Sequence, residues 1–244
     1  MGVGDGGVAA TGASVHVLAT PLRRPWRAAV AATRVTRWLR EDADVEFFVC
    51  GRSSAGRGLR NISRTLSVTR VVAVVEWTSA EAAGAGRRAL DERCRQGGAV
   101  VWSAALQPVR AQGEWNGRSP FRPDPTASTD GQQVASLTCA RVRPRRMVDF
   151  YLCAFPGLAR QACGPDSPMV AGLGFGGAVP LRDACTISFW PASSDVQAYA
   201  FGRSPHGAVQ RRSADQDWMS QSLFARFAVL DHDGTWAGTD PLTL

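Results

Sequence analysis

Three observations predict an α+β fold in which two ferredoxin-like repeats in one chain pair their sheets into a single barrel. The order strand, helix, strand, strand, helix, strand can be read twice along the 244 residues. Each copy has a strand ending in tryptophan, Trp77 and Trp190. Each also ends in a Gly-x-Trp-x-Gly motif, Gly113-Glu114-Trp115-Asn116-Gly117 and Gly234-Thr235-Trp236-Ala237-Gly238. The interval from strand tryptophan to motif tryptophan is 38 positions in the first copy and 46 in the second, and the longer interval contains His206. A duplicated fold with one modified half locates the chemistry in that half.

The first 14 residues are rich in Gly and Ala and lack the basic and apolar regions of a signal peptide, so they read as a flexible tail. The first repeat spans 15–115. Val15–Ala19 is its first strand, and Trp26 to about Glu41 carries helical spacing through Val30, Val35, Trp38 and Leu39. Val45–Cys50 is a second strand, 51–61 a Gly, Ser and Arg-rich loop, and Val68–Trp77 a β-branched strand. Thr78 with Glu81 gives a capping box for a helix to about Gln96, and Ala99–Val109 closes the repeat. A linker, 116–131, follows with Pro120, Pro123 and Pro125. The second repeat, 132–244, runs through a strand at Val134–Val142, a helix from Arg145 to Cys163 interrupted at Pro156-Gly157, and strands at Met169–Phe175 and Ala184–Trp190. Ser194 with Gln197 then caps a helix to Phe201, a further helical piece spans Ala208–Ser222, and Leu223–Leu230 is the last strand. The interior of the barrel is the expected small-molecule cavity.

Composition sets the outer limits. A chain 45% hydrophobic and 20% charged folds as an ordinary globular protein, and all 28 of its basic residues are arginine, which excludes a catalytic or P-loop lysine. The net charge of +7 is scattered and accompanies no nucleic-acid-binding signature, so arginine content reads as codon bias and no nucleic-acid partner is expected. Six irregularly spaced cysteines form no zinc or iron–sulfur framework and read as buried reduced thiols in a cytoplasmic protein. No apolar run is long enough to span a bilayer, which leaves peripheral association open.

The tryptophans allow the two halves to be compared face by face, because strand residues two apart point the same way. Trp77 shares its face with Val75 and Ala73, while Trp190 shares its face with Ser188 and Thr186. Ten positions before the motif tryptophans stand Ala105 in the first half and Arg226 in the second. Arg226 alternates with Phe224 and Ala228, so it either enters the cavity or faces solvent. His206 follows Ser204-Pro205 in material the first half lacks, whereas His16 and His232 have weaker claims. A single imidazole suffices for an axial haem ligand.

Read together, residues 186–242 resemble the spheroidene monooxygenase family, a carotenoid ketolase-like group. The residues that carry the likeness are Thr186-Ile187-Ser188-Phe189-Trp190, Ala200-Phe201, Ser204-Pro205-His206, Trp218, Leu223-Phe224-Ala225-Arg226-Phe227, Gly234-Thr235-Trp236, Gly238 and Asp240-Pro241-Leu242. Trp115-x-Gly117-x-x-Pro120-Phe121 and Arg141-Val142-Arg143-Pro144 extend it towards the first half. The family looks related to the dimeric α/β-barrel haem proteins, so the resemblance implies haem b with iron held by His206, and dioxygen or peroxide as oxidant. It offers Arg226, Arg203 and Arg211 as partners of haem propionates or an anionic substrate. Thr186 and Ser188 become donors to oxidant or substrate, and Trp190, Phe201 and Phe224 line the cofactor. The implied activity is a monooxygenase-like oxidoreductase of specialised metabolism acting on a small hydrophobic molecule, with an electron donor and homo-oligomer formation as accompanying expectations. A haem dehydratase or lyase acting on a nitrogen-containing substrate is the alternative, and a non-catalytic haem-binding barrel a third. Gly177-Ala178-Val179-Pro180, Gln221-Ser222 and Ala184 depart from the family pattern at polar positions, so carotenoid ketolation itself is not implied.

Overall fold

A computed structural model describes residues 11–20, 26–54, 59–62, 66–179, 181–201, 212 and 215–243, with the backbone alone for Trp26, Leu66, Val68 and Phe201. The first half comprises β1 (Gly12–Ala19), α1 (Trp26–Glu41), β2 (Val45–Ser54), β3 (Arg60–Asn61), β4 (Leu66–Trp77), α2 (Ala80–Gln96) and β5 (Val100–Glu114). The second comprises β6 (Val134–Val142), α3 (Phe155–Cys163), β7 (Ala171–Gly176), β8 (Asp183–Trp190), α4 (Ser193–Phe201) and β9 (Met219–Gly234). The predicted repeat order is present in both halves.

The differences have local causes. Residues 12–14, expected in the tail, belong to β1 because they pair with β4 and are buried. β2 continues to Ser54 into the expected loop. Ser79, not Thr78, caps α2, its Oγ accepting from the Ala82 amide at 3.1 Å. α4 starts at Ser193, and the Asp195 carboxylate, rather than the Ser194–Gln197 pair, bonds the Ala192 amide. Met219–Ser222, expected to be helical, is strand, because it carries the pairing of the 16-residue β9 with β6 as far as Val142. The irregularity predicted at Pro156 lies just before it. Asp149–Ala154 is a π-helical turn, and Pro156, which offers no amide hydrogen, opens the first turn of α3.

The strand order is β2-β4-β1-β5-β9-β6-β8-β7-β3, and β2 also pairs with β7, which closes eight antiparallel strands into a barrel with β3 parallel to β7 outside it. At that seam a Cβ on Gly51 would collide with the Gly176 carbonyl oxygen. The obstacle is backbone and cannot rotate away. Gly51→Ala is expected to cost about 1–3 kcal/mol in urea unfolding, and an unchanged midpoint would show that the seam yields freely.

The repeated motif closes the two ends of the β5–β9 pair. Gly113 and Gly234 have φ of 93° and 92°, and a side chain on either would strike the carbonyl of Ser222 or Val101 on the partner strand. Each tryptophan then opens a tight turn with two positive-φ residues, Asn116-Gly117 and Ala237-Gly238, closed by reciprocal backbone bonds from Trp115 to Arg118 and from Trp236 to Thr239. Both indoles are buried in the barrel.

That interior is packed. One core cluster draws on β1, β2, β4 and β5 as well as β6, β7, β8 and β9. Phe121 lies edge-on to Phe47 and Phe227 at 5.6 and 5.1 Å, and Trp102 contacts Phe189 and Trp236 at 5.2 and 5.8 Å. The expected substrate cavity inside the barrel is therefore corrected: aromatic side chains from both halves occupy that volume.

Candidate functional site

The outer faces of the two halves differ. In the first half, α1 and α2 lie on the sheet over a second core of Leu18, Val71, Ala73, Val75, Trp77 and Leu90. A polar chain is buried with them. The Trp77 indole N–H donates to Ser14 Oγ at 2.9 Å, Ser14 Oγ lies 2.9 Å from His16 Nε2, and His16 Nδ1 lies 2.8 Å from Asp91 Oδ1. Ser103 Oγ donates to Asp91 Oδ2, and Arg87 bonds Ser103 and reaches out to Asp231. Because the ionised Asp91 carboxylate can only accept, the His16 hydrogen is assigned to Nδ1, which leaves Nε2 to accept from the Ser14 hydroxyl. Burial raises the Asp91 pKa, but His16 and Ser103 outweigh it and hold the carboxyl below its ordinary value. Ser14 and His16 are fully buried, so this serine–histidine–aspartate line supports the fold rather than meeting a substrate. Sequence reading ranked His16 low. The overlooked signal was Ser14 and His16 two apart on one strand face, with Arg87 and Asp91 one turn apart on the buried side of α2.

The second half presents the equivalent positions without such a seal. Pairing of Gly12 with Trp77 and of Val134 with Trp190 makes Ser136 the counterpart of Ser14, Thr138 of His16, Thr186 of Ala73 and Ser188 of Val75. Ser14 pairs with Ala105 and Ser136 with Arg226, so the ungapped comparison of Ala105 with Arg226 holds. Two cross-strand rungs result. One runs Gly172, Ser188, Ser136, Arg226, Arg110, and the other Gly174, Thr186, Thr138, Phe224, Gln112. From β8 to β5 they span three strand spacings, about 14 Å.

Among the described residues, helices cover this face only at its ends. Val134, Trp190, Met169, Ala162 and Val196 cluster at one end, and Val142, Phe150, Ala154 and Trp218 at the other. α3 packs mainly on the π-helical turn and β3 rather than across β6 or β8. The middle stays open enough that Phe224 is 41% exposed and Ser136, Thr138, Thr186 and Arg226 are half-buried. Thr138 and Thr186 have no side-chain hydrogen-bond partner among the described residues. Arg226 Nη1 donates to Ser193 Oγ at 2.9 Å, and neither Arg226 nor its neighbour Arg110 pairs with a carboxylate among the described residues. Burial and the Arg110 charge both lower the Arg226 pKa.

Of the residues singled out from sequence, Thr186, Ser188, Trp190, Phe224 and Arg226 share this outer face, and none enters the barrel. Ser188 has its hydroxyl engaged: it accepts from the Trp190 indole at 2.9 Å and donates to the Ser136 carbonyl at 3.3 Å. Trp190 is buried against Tyr199 and supports the end of the face. Phe201 ends α4, while His206, Arg203 and Arg211 lie outside the described residues. His232 belongs to β9, its Nδ1 2.9 Å from Asp240. All six cysteines are free, but only Cys139 and Cys185 are fully buried and Cys153 is exposed, a partial correction of the buried-thiol expectation. Among the described residues no cluster of His, Cys, Asp and Glu could hold a metal ion, and no helix is long and apolar enough to cross a membrane.

Comparison with known proteins bears out the resemblance read from sequence. The chain is 34% identical over 138 residues to spheroidene monooxygenase of Rhodobacter capsulatus, covering 56% of each protein. It is 32% identical over 142 residues to that of Cereibacter sphaeroides, covering 58% of this chain and 43% of the relative. It is 31% identical over 154 residues to that of Rubrivivax gelatinosus, covering 63% and 57%. The chain thus matches about half the length of these relatives. No family model matches it. Among solved structures, an aldoxime dehydratase superposes with a TM-score of 0.57 at 9% identity, covering 96% of this chain and 87% of the other. A second aldoxime dehydratase, OxdRE in complex with butyraldoxime, gives 0.55 at 9% identity, covering 96% and 85%. These two likenesses concern the fold.

Proposed function

We propose that the chain is a haem-dependent, monooxygenase-like oxidoreductase of specialised metabolism that acts on a small, largely hydrophobic molecule at the outer face of its second half. The observation that carries this reading is the asymmetry of the halves: one outer face is sealed by helices over a buried polar chain, and the other, among the described residues, keeps unpartnered hydroxyls, two arginines and an exposed phenylalanine between helices at its ends. The similarity to spheroidene monooxygenases supports this reaction class.

The donor set fits a flat group with acidic edges. Arg226, oriented by Ser193 and strained electrostatically by Arg110, gains from a carboxylate such as a haem propionate, which neutralises the repulsion between the two guanidinium groups. Arg203 and Arg211 are further candidates for that role. Phe224 supplies an apolar wall, Thr186 and Thr138 supply hydroxyls that can orient a polar atom of the substrate, and Ser188 fixes Trp190 beside them. His206, from the segment that follows α4, is proposed as the iron ligand, a role for which one neutral imidazole suffices. Haem b bound there supplies the iron that activates dioxygen or peroxide.

The test is reconstitution of the purified chain with haem b, followed by absorption spectroscopy. The wild type is expected to give a Soret band, His206→Ala to lose or shift it, and Arg226→Ala to bind haem about 10- to 100-fold more weakly. A wild type that stays colourless overturns the haem reading, and an unchanged His206→Ala spectrum overturns that ligand. Turnover dependent on reductant and dioxygen marks the oxygenase, whereas turnover without either marks the dehydratase or lyase.

A further inference from the structure

One face of the second half carries an exposed apolar patch that the proposed site does not use. Val148, Leu152 and Leu181 are 68%, 62% and 71% exposed. Val148 and Leu152 lie four residues apart along the π-helical turn, and the Tyr151 hydroxyl donates to the Leu181 carbonyl at 2.7 Å, which holds the Leu181 turn against that helix. The base beneath is firm, because Phe150, Ala154, Trp218 and Val142 form a buried cluster with Tyr151 packed on it. Leu181 also has φ of 63°, a left-handed conformation that costs a branched residue energy and that glycine or asparagine would adopt freely. A bulky apolar side chain is thus displayed at a turn where folding alone favours another residue.

Charge says what meets it. Arg143, Arg145 and Arg146 flank the π-helical turn and Arg182 follows Leu181, while the carboxylates paired with the first three are Asp217 and Asp149. Four arginines against two carboxylates leave the rim positive around an apolar centre. A bilayer matches this arrangement, with hydrocarbon below a negative headgroup layer and a boundary at which tyrosine is favoured.

We infer that this patch docks the protein on an anionic lipid surface, with Leu181, Leu152 and Val148 inserted among acyl chains and the arginines at the headgroups. The inference stands independently of the haem reading. It is tested by co-sedimentation of the full chain with vesicles of phosphatidylcholine alone or with about one-third phosphatidylglycerol. Binding is expected for the anionic vesicles and is expected to weaken as salt is raised. Leu181→Gly, which relieves the backbone strain and so retains the fold, combined with Leu152→Ser, should weaken it about tenfold. Arg145→Ala with Arg182→Ala should reduce the preference for anionic vesicles. Absence of binding by the wild type overturns the inference, as does equal binding by the leucine variant. A concentration-dependent dimer that Leu181→Gly dissolves, with no vesicle binding, assigns the patch to a second copy and overturns it too.

Discussion

Asp91→Ala is expected to lower the stability of the protein by about 3–5 kcal/mol, because it strips two buried donors, His16 Nδ1–H and the Ser103 hydroxyl, of their acceptor at once. Both donors lie away from bulk water, with Asp91 3% exposed and His16 and Ser103 0%. Asp91→Asn keeps the shape and one acceptor, so a smaller loss is expected. The contribution depends on pH with a definite sign. The folded carboxyl titrates below its ordinary value, so the stability it adds is complete above the unfolded value of about 3.9 and falls away as pH drops through the folded one. Urea unfolding at neutral pH and again towards acid should show the wild type and Asp91→Ala converging. Parallel curves would mean that the carboxylate does no such work.

Trp102→Ala is expected to cost about 3–5 kcal/mol, the range for removing a large aromatic from a packed core. Trp102 is fully buried, touches Phe189 and Trp236, and its indole nitrogen donates to Asp240 at 3.2 Å. The loss should appear in thermal and urea unfolding, and free indole should restore part of it by filling the void. A small loss would mean that the barrel interior is loosely filled after all, and would reopen it as a binding space.

These two positions mark what could and could not be read from sequence. Repeat order, most strand positions and the equivalence of Ala105 with Arg226 followed from alternation and from the tryptophan anchors, because a period of two leaves little freedom once an anchor is set. Which face looked inward did not follow. Leu223, Ala225 and Phe227 are apolar enough to lie under helices or inside a barrel, and in a barrel clothed by helices both faces are covered. Arg226 therefore had two admissible directions, and only the closure of β2 on β7 decides between them. The buried chain through Asp91 was hidden for a different reason. Its members come from β1, β4, α2 and β5, and although spacing places Ser14 with His16 and Arg87 with Asp91, it does not bring the two pairs together.

The long β5–β9 ladder has a consequence for how such a protein can change. It sets Trp102 opposite Gly234 and Gly113 opposite Leu223, so the two halves meet as near-equivalent partners. When such partners are separate chains, dilution parts them and two identical copies can pair. Tethered in one polypeptide, they meet at a fixed one-to-one ratio whatever the concentration. Either half can then lose what the other retains, and substitutions that would ruin a symmetric pair are tolerated on one side only.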